Sequence, residues 1–329
     1  MIKTFNNQNA EKFADTVVGS TYDMTVLLTS IVEGTAKNSN KFVTLKFMDG
    51  NTSAEAKMFN TSASQVEAMG VTEVSVVDIT IEVCDFNGKS YNVKTITPST
   101  APNLSINNFI IHAPIDENLM YDEIISILKN AHTDNGTGFL PLSDLAISLL
   151  ERFKDDFITS SAALTVHHNY KGGLVYHTYR MVKTADVVTN IYSGLNKELV
   201  VCGAALHDIG KILEYKTDQL GQAEMTALGV LFGHPFCGAL LVKCMSSRKK
   251  FNPEEVKMLI HILLSHHGKG EYGAVVAPAI PEAYAVHHID NMDAKIAQCE
   301  SIYDEIEAGA ITEKRPFALD NRLFKPTNL

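Results

Sequence analysis

Residues 200–211 read VVCGAALHDIGK, an apolar run that ends in an adjacent histidine and aspartate. Apolar positions at helical spacing predict a helix over 197–209, which places His207 and Asp208 at its carboxyl end. Both side chains can reach one ion there, and imidazole nitrogen with carboxylate oxygen is a common ligand pair for transition metals. Lys211, three residues later, predicts a bound anion. The stretch therefore favours a metal centre beside an anionic substrate.

The 12 histidines of this 329-residue chain are unevenly placed: none lies in residues 1–111, and ten lie between His167 and His288. The chain therefore divides into a histidine-free amino-terminal part and a histidine-rich carboxyl-terminal part, as a length near two domains allows. The second part shows helical periodicity over residues 120–131, 142–153, 161–168, 173–192, 197–209, 230–245, 254–265 and 281–306.

Five further donor groups lie at the ends or in the interior of these predicted helices: His177, His234, His266, His267 and Asp290. One histidine in such a place most often has a structural role. The whole set in this order instead indicates a divalent metal centre. Histidine nitrogens with aspartate oxygens suit Mn²⁺, Fe²⁺, Co²⁺, Ni²⁺ or Zn²⁺ rather than Ca²⁺.

The amino-terminal part predicts a small β-barrel behind a polar lead-in over residues 1–20. Apolar and β-branched runs predict five strands, over 22–32, 41–49, 53–59, 74–84 and 90–96, with a short helix over 62–69. Asp49-Gly50 and Asn87-Gly88 predict hairpin turns. Three strands, a helix and two strands are the element order of a five-stranded OB-type barrel. We therefore expect an α+β multidomain chain in which this barrel precedes an all-α domain.

A strand face of an OB barrel often binds single-stranded nucleic acid. Candidate substrate-binding residues on such a face are Lys41, Phe42, Lys46 and Phe59, joined by Lys57 and Tyr91. The charge balance argues against binding of nucleic acid by electrostatic attraction alone, since residues 1–100 hold 8 Lys and no Arg against 11 acidic residues. With a net charge of −10 overall, an anionic substrate needs a local source of positive charge such as metal ions.

Composition predicts a globular protein, with 45% hydrophobic and 20% charged residues. We expect no stretch that approaches the roughly 20 apolar residues of a membrane span, and residues 1–13 show no secretory signal. Five scattered cysteines without a CxxC pair fit free thiols in a reducing cytosol. The expected location is cytoplasmic, with no membrane partner.

The order of the donor groups resembles that of HD-domain phosphohydrolases, H…HD…H…HH…D. Longer stretches resemble the YhaM family more closely: HHNYKGGLVYHT (167–178), AALHDIGK (204–211), GHPFCGA (233–239), LLSHHGKGEYG (263–273) and VHHIDNMDAK (286–295). The resemblance covers nearly the whole chain. It implies a bacterial 3′→5′ exoribonuclease with an amino-terminal OB domain and a carboxyl-terminal HD domain.

The resemblance also implies two divalent metals, with Mn²⁺ expected first and Co²⁺, Fe²⁺, Ni²⁺ or Zn²⁺ as alternatives. One ion would be held by His177, His207, Asp208 and Asp290. Asp208 would bridge to a second ion held by His234 and His266, with His267 as an extra ligand or hydrogen-bonding neighbour. Lys211 would contact the scissile phosphate, and Asp293 would orient the site. The substrate entrance would be lined by His167, His168, Tyr170 and Lys171.

The implied activity is metal-dependent hydrolysis of single-stranded RNA from its 3′ end to nucleoside 5′-monophosphates, with single-stranded DNA as a second substrate to test. The alternative is an HD-domain phosphodiesterase or phosphohydrolase for a cyclic dinucleotide or a nucleotide. The barrel favours the polymer, whereas its acidic surface favours the small substrate. A homo-oligomer is compatible with the sequence, which does not decide the oligomeric state.

We expect four segments along the chain. Residues 1–97 form the OB domain, the Pro/Ser/Asn-rich stretch 98–118 is a linker, 119–309 form the HD domain, and 310–329 are a tail that packs as an extended strap.

Overall fold

A computed structural model describes residues 8–36, 39–50, 52–86, 88–132, 136, 138–162 and 170–327. The chain forms two compact units, Met1–Ile111 and His112–Leu329. The boundary between them lies inside the predicted linker 98–118, which contains a short 3-10 helix, Ile106–Asn108.

The first unit is a closed five-stranded barrel of OB topology. Its strands are β2 (Thr21–Thr35), β3 (Lys41–Met48), β4 (Ser53–Phe59), β5 (Ser75–Asp85) and β6 (Lys89–Pro98), preceded by β1 (Gln8–Asn9). The order is β1-β2-β3-β4-β6-β5, and β5 returns to pair with β2, which closes the barrel. The predicted fold class is confirmed, with one addition: the lead-in carries β1, which pairs with β2 in parallel.

Alternation along the strands builds the barrel core. Val43, Leu45 and Phe47 of β3 are buried, and Ala54, Ala56 and Met58 of β4 face the same interior. Helix α1 (Ala63–Ala68) lies between β4 and β5 and begins with a capping box of Ser62 and Gln65. The turn at Asn87 lies outside the described residues, whereas the Asp49 carboxylate accepts from the backbone amides of Phe13 and Thr52 and so fixes the other turn.

The second unit is a helical bundle. Its helices are α2 (Glu117–Ala131), α3 (Leu142–Arg152), α4 (Lys154–Thr159), α5 (Gly173–Ile191), α6 (Lys197–Leu206), α7 (Lys211–Glu214), α8 (Ala227–Ser246), α9 (Pro253–Ser265) and α10 (Pro281–Glu305). Sequence periodicity located most of them to within a few residues but missed α4 and α7. The predicted helix 161–168 lies almost entirely outside the described residues.

A short hairpin was also missed, so this unit is not purely helical. Strands β7 (Tyr215–Thr217) and β8 (Ala223–Met225) pair across a turn in which the Asp218 carboxylate accepts from the amides of Leu220 and Gln222. In the tail, Ile311 and Phe324 form a β-bridge, and the Lys325 ammonium donates to the carbonyl of Ile306 just after α10. The amide of Thr312 donates to the carbonyl of Leu323, and the amide of Lys325 donates to the carbonyl of Ala310, both at 2.9 Å. The described part of the tail thus folds back on itself, in place of the expected extended strap, and is tied to the end of α10.

The helix α6 lies at the centre of the bundle, in contact with α2, α3, α5, α9 and α10. It is buried from Leu199 to Leu206, which is why the helix is apolar on all sides and has no polar face. Gly203 allows close approach of two neighbours, because an added Cβ would lie 2.9 Å from Ile262 Cγ2 and 3.1 Å from Val286 Cγ2. This packing fixes the position at which His207 and Asp208 leave the helix.

Helix α8 corrects the expectation that no stretch approaches the length of a membrane span. Among the described residues it is the one helix that is long and apolar enough by composition to cross a membrane. It begins at Ala227, three residues before the predicted start at 230. The helix is interrupted at Gly233, whose φ of 69° is left-handed, and it packs against α7, α9 and α3.

Gly210 provides a test of this packing. A Cβ at this position would collide with the backbone of His234 and Gly238 in α8, and backbone cannot move aside cheaply. We expect Gly210→Ala to destabilise the helical unit by about 1–3 kcal/mol or more, seen as a lower midpoint of thermal unfolding followed by circular dichroism. Gly194→Ala is the control, since no atom lies within 4 Å of its added Cβ. Equal midpoints for the two variants would contradict this account.

Candidate metal centre

The first donor group joins three helices. His177 comes from the second turn of α5, His207 from the carboxyl end of α6 and Asp290 from the middle of α10. His177 Nε2 lies 3.1 Å from His207 Nε2 and 3.4 Å from Asp290 Oδ1. The three ligand atoms lie within 4.8 Å of one another, which is close enough for one ion to contact all three.

The second donor group is built from α8 and α9. His234 follows the break at Gly233, and His266 and His267 follow the last residue of α9. His234 Nε2 lies 3.0 Å from His267 Nε2 and 3.4 Å from His266 Nε2. These three nitrogens also fall within 4.8 Å of one another. The structure thus brings together all the metal-ligand candidates of the sequence, in two groups.

Asp208 lies between the two groups. Its Oδ2 is 3.3 Å from His207 Nε2, and its Oδ1 is 3.3 Å from His234 Nε2. Oδ2 also forms an ion pair with Lys211 Nζ at 2.8 Å. One carboxylate therefore offers an oxygen to each group, which is the arrangement expected of a residue that bridges two ions.

The orientation of the imidazoles provides a test of metal fit. In all five histidines Nδ1 has an acceptor, and the acceptors are Asp293 for His177, Ala204 O for His207, Glu214 for His234, Leu263 O for His266 and Tyr272 O for His267. A backbone carbonyl can only accept, so Nδ1 of His207, His266 and His267 carries the proton. The Nε2 atoms of the five rings converge, and a divalent cation is the group that such a donor set fits.

Local electrostatics keep Asp208, His266 and His267 in the protonation state of a metal ligand. Although burial opposes ionisation, Lys211 and His207 hold the pKa of Asp208 well below its usual range. Burial lowers the pKa of His266 and of His267, so both are neutral near pH 7. Burial opposes charge on His177 as well, yet hydrogen bonds to Asp290 and Asp293 raise its pKa to about 10. A cation at the first group would therefore displace the His177 proton.

Two supporting acids hold the histidines in place. Asp293 Oδ2 lies 2.7 Å from His177 Nδ1, while its Oδ1 lies 2.5 Å from Arg180 Nε. Glu214 accepts from His234 Nδ1 at 2.8 Å and from the His234 amide at 3.1 Å. Asp293 was predicted to orient the site, whereas Glu214 and Arg180 were not predicted. The one signal for Glu214 is an acidic residue directly after the apolar pair Ile212-Leu213.

The predicted entrance residues are only partly described. His167 and His168 lie outside the described residues. Tyr170 is half-buried, and burial raises the pKa of its hydroxyl. The Lys171 backbone pairs with the strand-like segment at His112 and accepts from the amide of Ala113. These contacts give the Lys171 backbone a structural role, and the entrance role of its side chain stays a prediction.

The barrel carries an aromatic face on β3 and β4. Phe42 and Phe59 are cross-strand partners with ring centroids 6.2 Å apart, and Lys57 Nζ lies 5.4 Å from the Phe42 centroid. The Phe42 ring lies over Gly34, where an added Cβ would come within 2.6 Å of Phe42 Cζ. A glycine at this position of β2 therefore lets the ring lie flat on the outside of the barrel.

The lysines expected on that face are largely paired with acids. Lys41 forms an ion pair with Glu33 at 2.7 Å and Lys46 with Glu55 at 3.2 Å. Lys94 pairs with Glu82 at 2.6 Å. Exposed pairs of this kind contribute little to stability, but they reduce the positive field that a polyanion would meet. Tyr91, also a candidate for the face, donates its hydroxyl to Phe13 O instead.

We expect Mn²⁺ to raise the thermal midpoint of metal-free protein, because an ion at 100 times its dissociation constant stabilises the folded state by about 2.7 kcal/mol, a shift of roughly 5–10 °C. Asp208→Ala removes an oxygen from both groups and should abolish most of this shift. Asp320→Ala, an exposed acid paired with Lys295, is the control and should retain it. The same shift in both variants would place the ion elsewhere.

Comparison with known proteins agrees with this architecture. The family model "HD domain" matches residues 174–295, a range that holds both donor groups, Asp208, Lys211 and Asp293. The 3'-5' exoribonuclease YhaM of Listeria monocytogenes serotype 4b is 33% identical over 319 residues, which covers 95% of this chain and 97% of that protein. The 3'-5' exoribonuclease YhaM of Bacillus subtilis is 32% identical, covering 94% and 96%.

Among solved structures, the second OB-fold domain of replication protein A from Methanococcus maripaludis matches 30% of this chain and 100% of its own, with a TM-score of 0.24 and 14% identity. The OB assignment itself rests on the strand order of the barrel. Because the relatives exceed 30% identity and align over almost their whole length, the chain belongs to the YhaM family of 3'-5' exoribonucleases, with an OB-type barrel and an HD domain.

Proposed function

We propose that this protein hydrolyses single-stranded RNA from its 3′ end in a reaction that depends on two divalent metal ions and releases nucleoside 5′-monophosphates. The observation that carries the proposal is the position of Asp208, with one oxygen toward each histidine group. Relatives named 3'-5' exoribonuclease supply the substrate class and the polarity.

Two sets of residues would hold the ions, His177, His207, Asp208 and Asp290 for one and Asp208, His234, His266 and His267 for the other. When bound, divalent ions act as Lewis acids that neutralise phosphate charge and activate water for attack on phosphorus. Mn²⁺ is the ion to test first. The mixed nitrogen and oxygen donors also accept Co²⁺, Fe²⁺, Ni²⁺ and Zn²⁺.

The chain's own residues prepare the site before any substrate arrives. Asp293 and Glu214 hold the rings of His177 and His234, so their Nε2 atoms are oriented in advance. Lys211 carries its ammonium group at the centre, 2.8 Å from Asp208 Oδ2. A phosphate oxygen near the donor groups would meet this cation, which favours the charge that develops as the phosphodiester bond breaks.

The barrel would bind the RNA mainly by stacking. Because Lys41 and Lys46 are paired with glutamates, the Phe42 and Phe59 rings with Lys57 offer the more specific contact for bases. Stacking on aromatic rings tolerates any base sequence, as a degradative enzyme requires. The same surface accepts single-stranded DNA, so the choice between RNA and DNA is left to the assay.

The acidic surroundings of the barrel lysines favour one other candidate function, hydrolysis of a cyclic dinucleotide or nucleotide. In that case the donor groups would act in the same way, and the aromatic face would serve assembly or regulation. Substrate comparison separates the two candidates.

We expect wild-type protein with Mn²⁺ to shorten 5′-labelled single-stranded RNA progressively from its 3′ end, and chelation of the metal to stop the reaction. Asp208→Ala should lower the rate by at least about 1,000-fold, since it removes the shared ligand of both groups. Asp320→Ala is the matched control. Matched single-stranded DNA and a cyclic dinucleotide are tested in parallel.

Intact RNA together with an opened cyclic dinucleotide would replace the exonuclease proposal with the small-substrate phosphodiesterase. Undiminished RNA cleavage by Asp208→Ala would overturn the assignment of the site.

We expect Phe59→Ala to weaken binding of single-stranded RNA by roughly 5- to 100-fold, because it removes one stacking surface. Phe59 is 52% exposed, so the barrel loses little core packing. Fluorescence anisotropy with a labelled oligonucleotide measures the effect, and Phe317→Ala, an exposed phenylalanine of the tail, is the control. Unchanged affinity in Phe59→Ala would remove the aromatic face from the RNA-binding surface.

A further inference from the structure

The loop that follows α9 links an exposed aromatic ring to the second donor group. Residues 266–273 read HHGKGEYG and begin with two of the ligand candidates. The carbonyl of Tyr272 accepts from His267 Nδ1 at 2.6 Å. Only the width of one imidazole ring therefore separates the Tyr272 backbone from the cluster of Nε2 atoms.

The Tyr272 side chain is exposed despite this position. It is 63% accessible, and the ammonium of Lys269 lies 5.7 Å from its ring centroid and 3.4 Å from Glu271 Oε1. An exposed aromatic ring contributes little to folding, so core packing does not account for a tyrosine here. A ring with a cation over it, directly beside a phosphate-handling centre, has the chemistry of a nucleotide-binding surface.

The loop that carries the ring is held tightly. Gly268 and Gly273 adopt left-handed φ angles of 79° and 100°, and Cβ atoms would meet the His287 ring and His267 Nδ1. The amide of Tyr272 donates to the carbonyl of Lys269 at 3.0 Å, and the amide of Ala274 donates to the same oxygen at 3.1 Å. The ring is therefore presented by a rigid backbone, which lowers the entropy cost of binding.

We propose that Tyr272 is the stacking platform for one of the two nucleobases that flank the scissile phosphate, with Lys269 contacting the adjacent backbone. This inference rests on the proposed function and adds a base-binding subsite to it. The contact is with the face of the base, so it accepts all four bases and fails only where the base is missing. Tyr272 is then a substrate-binding residue that places the terminal phosphodiester over the donor groups.

The first test uses fluorescence. The chain has no tryptophan, so Tyr272→Trp introduces a single reporter. Binding of an RNA oligonucleotide with a non-hydrolysable 3′-terminal linkage should quench this tryptophan. Tyr192→Trp is the matched control because Tyr192 is also 63% exposed but lies at the far end of α5, about 22 Å along the helix from His177.

The second test uses kinetics with abasic RNA. Tyr272→Ala should raise KM for RNA by about tenfold, and Tyr272→Phe should restore it, because the ring and not the hydroxyl makes the contact. An RNA that lacks the last or the penultimate base should bind wild-type protein about tenfold more weakly. On the abasic RNA whose missing base would face the ring, Tyr272→Ala should not raise KM any further. Equal thermal midpoints of Tyr272→Ala and wild type show that the fold is retained.

Quenching confined to Tyr272→Trp, together with loss of the Tyr272→Ala effect on one abasic RNA, supports the subsite. Equal quenching in Tyr192→Trp, or equal kinetics of wild type and Tyr272→Ala on intact RNA, overturns the subsite. In that case cleavage of RNA by the wild-type protein still supports the proposed function. A wild-type protein that does not degrade RNA overturns both.

Discussion

The carboxylate of Asp208 is the constraint on which the helical unit depends. It is buried, yet it must stay ionised between two groups of histidines, and Lys211 and His207 make this possible. A buried charge is costly unless it is paired, so the surrounding helices have to deliver those partners at fixed distances. The position of α6 at the bundle centre, the break in α8 at Gly233 and the contact of Gly210 with α8 all serve that requirement.

Hydrogen bonds at Nδ1 hold the histidine rings in place without any bound ligand. Three donate Nδ1 to backbone carbonyls, whereas His177 and His234 face the carboxylates of Asp293 and Glu214. The carboxylates add negative charge next to the two groups, which would offset the mutual repulsion of two cations held there. His287 extends the same support outward, since its Nδ1 donates to the carbonyl of His266 at 2.7 Å. Such networks set ring orientation and hence the geometry available to an ion.

The two units solve the problem of a polyanionic substrate differently. The chain has a net charge of −10, and three of the barrel lysines are neutralised by neighbouring glutamates. A general electrostatic attraction is therefore weak. Under the proposed function, stacking on aromatic faces and positive charge from ions at the donor groups would take its place. Such a division would explain why an acidic chain belongs to a family of exoribonucleases.

The element order of the barrel follows from the sequence alone, because alternation and hairpin turns are local patterns. The ligand candidates of the centre also follow from it, because the H…HD…H…HH…D order is read directly along the chain. The sequence also placed most helices, since their apolar faces repeat at helical spacing. It could not find Glu214, Arg180 or the role of the Tyr272 carbonyl, because these act through contacts between residues far apart in the chain or outside any periodic element. The position of Asp208 between both groups and the pairing of Lys41 and Lys46 became visible in the folded chain alone, since such contacts depend on which strands and helices meet.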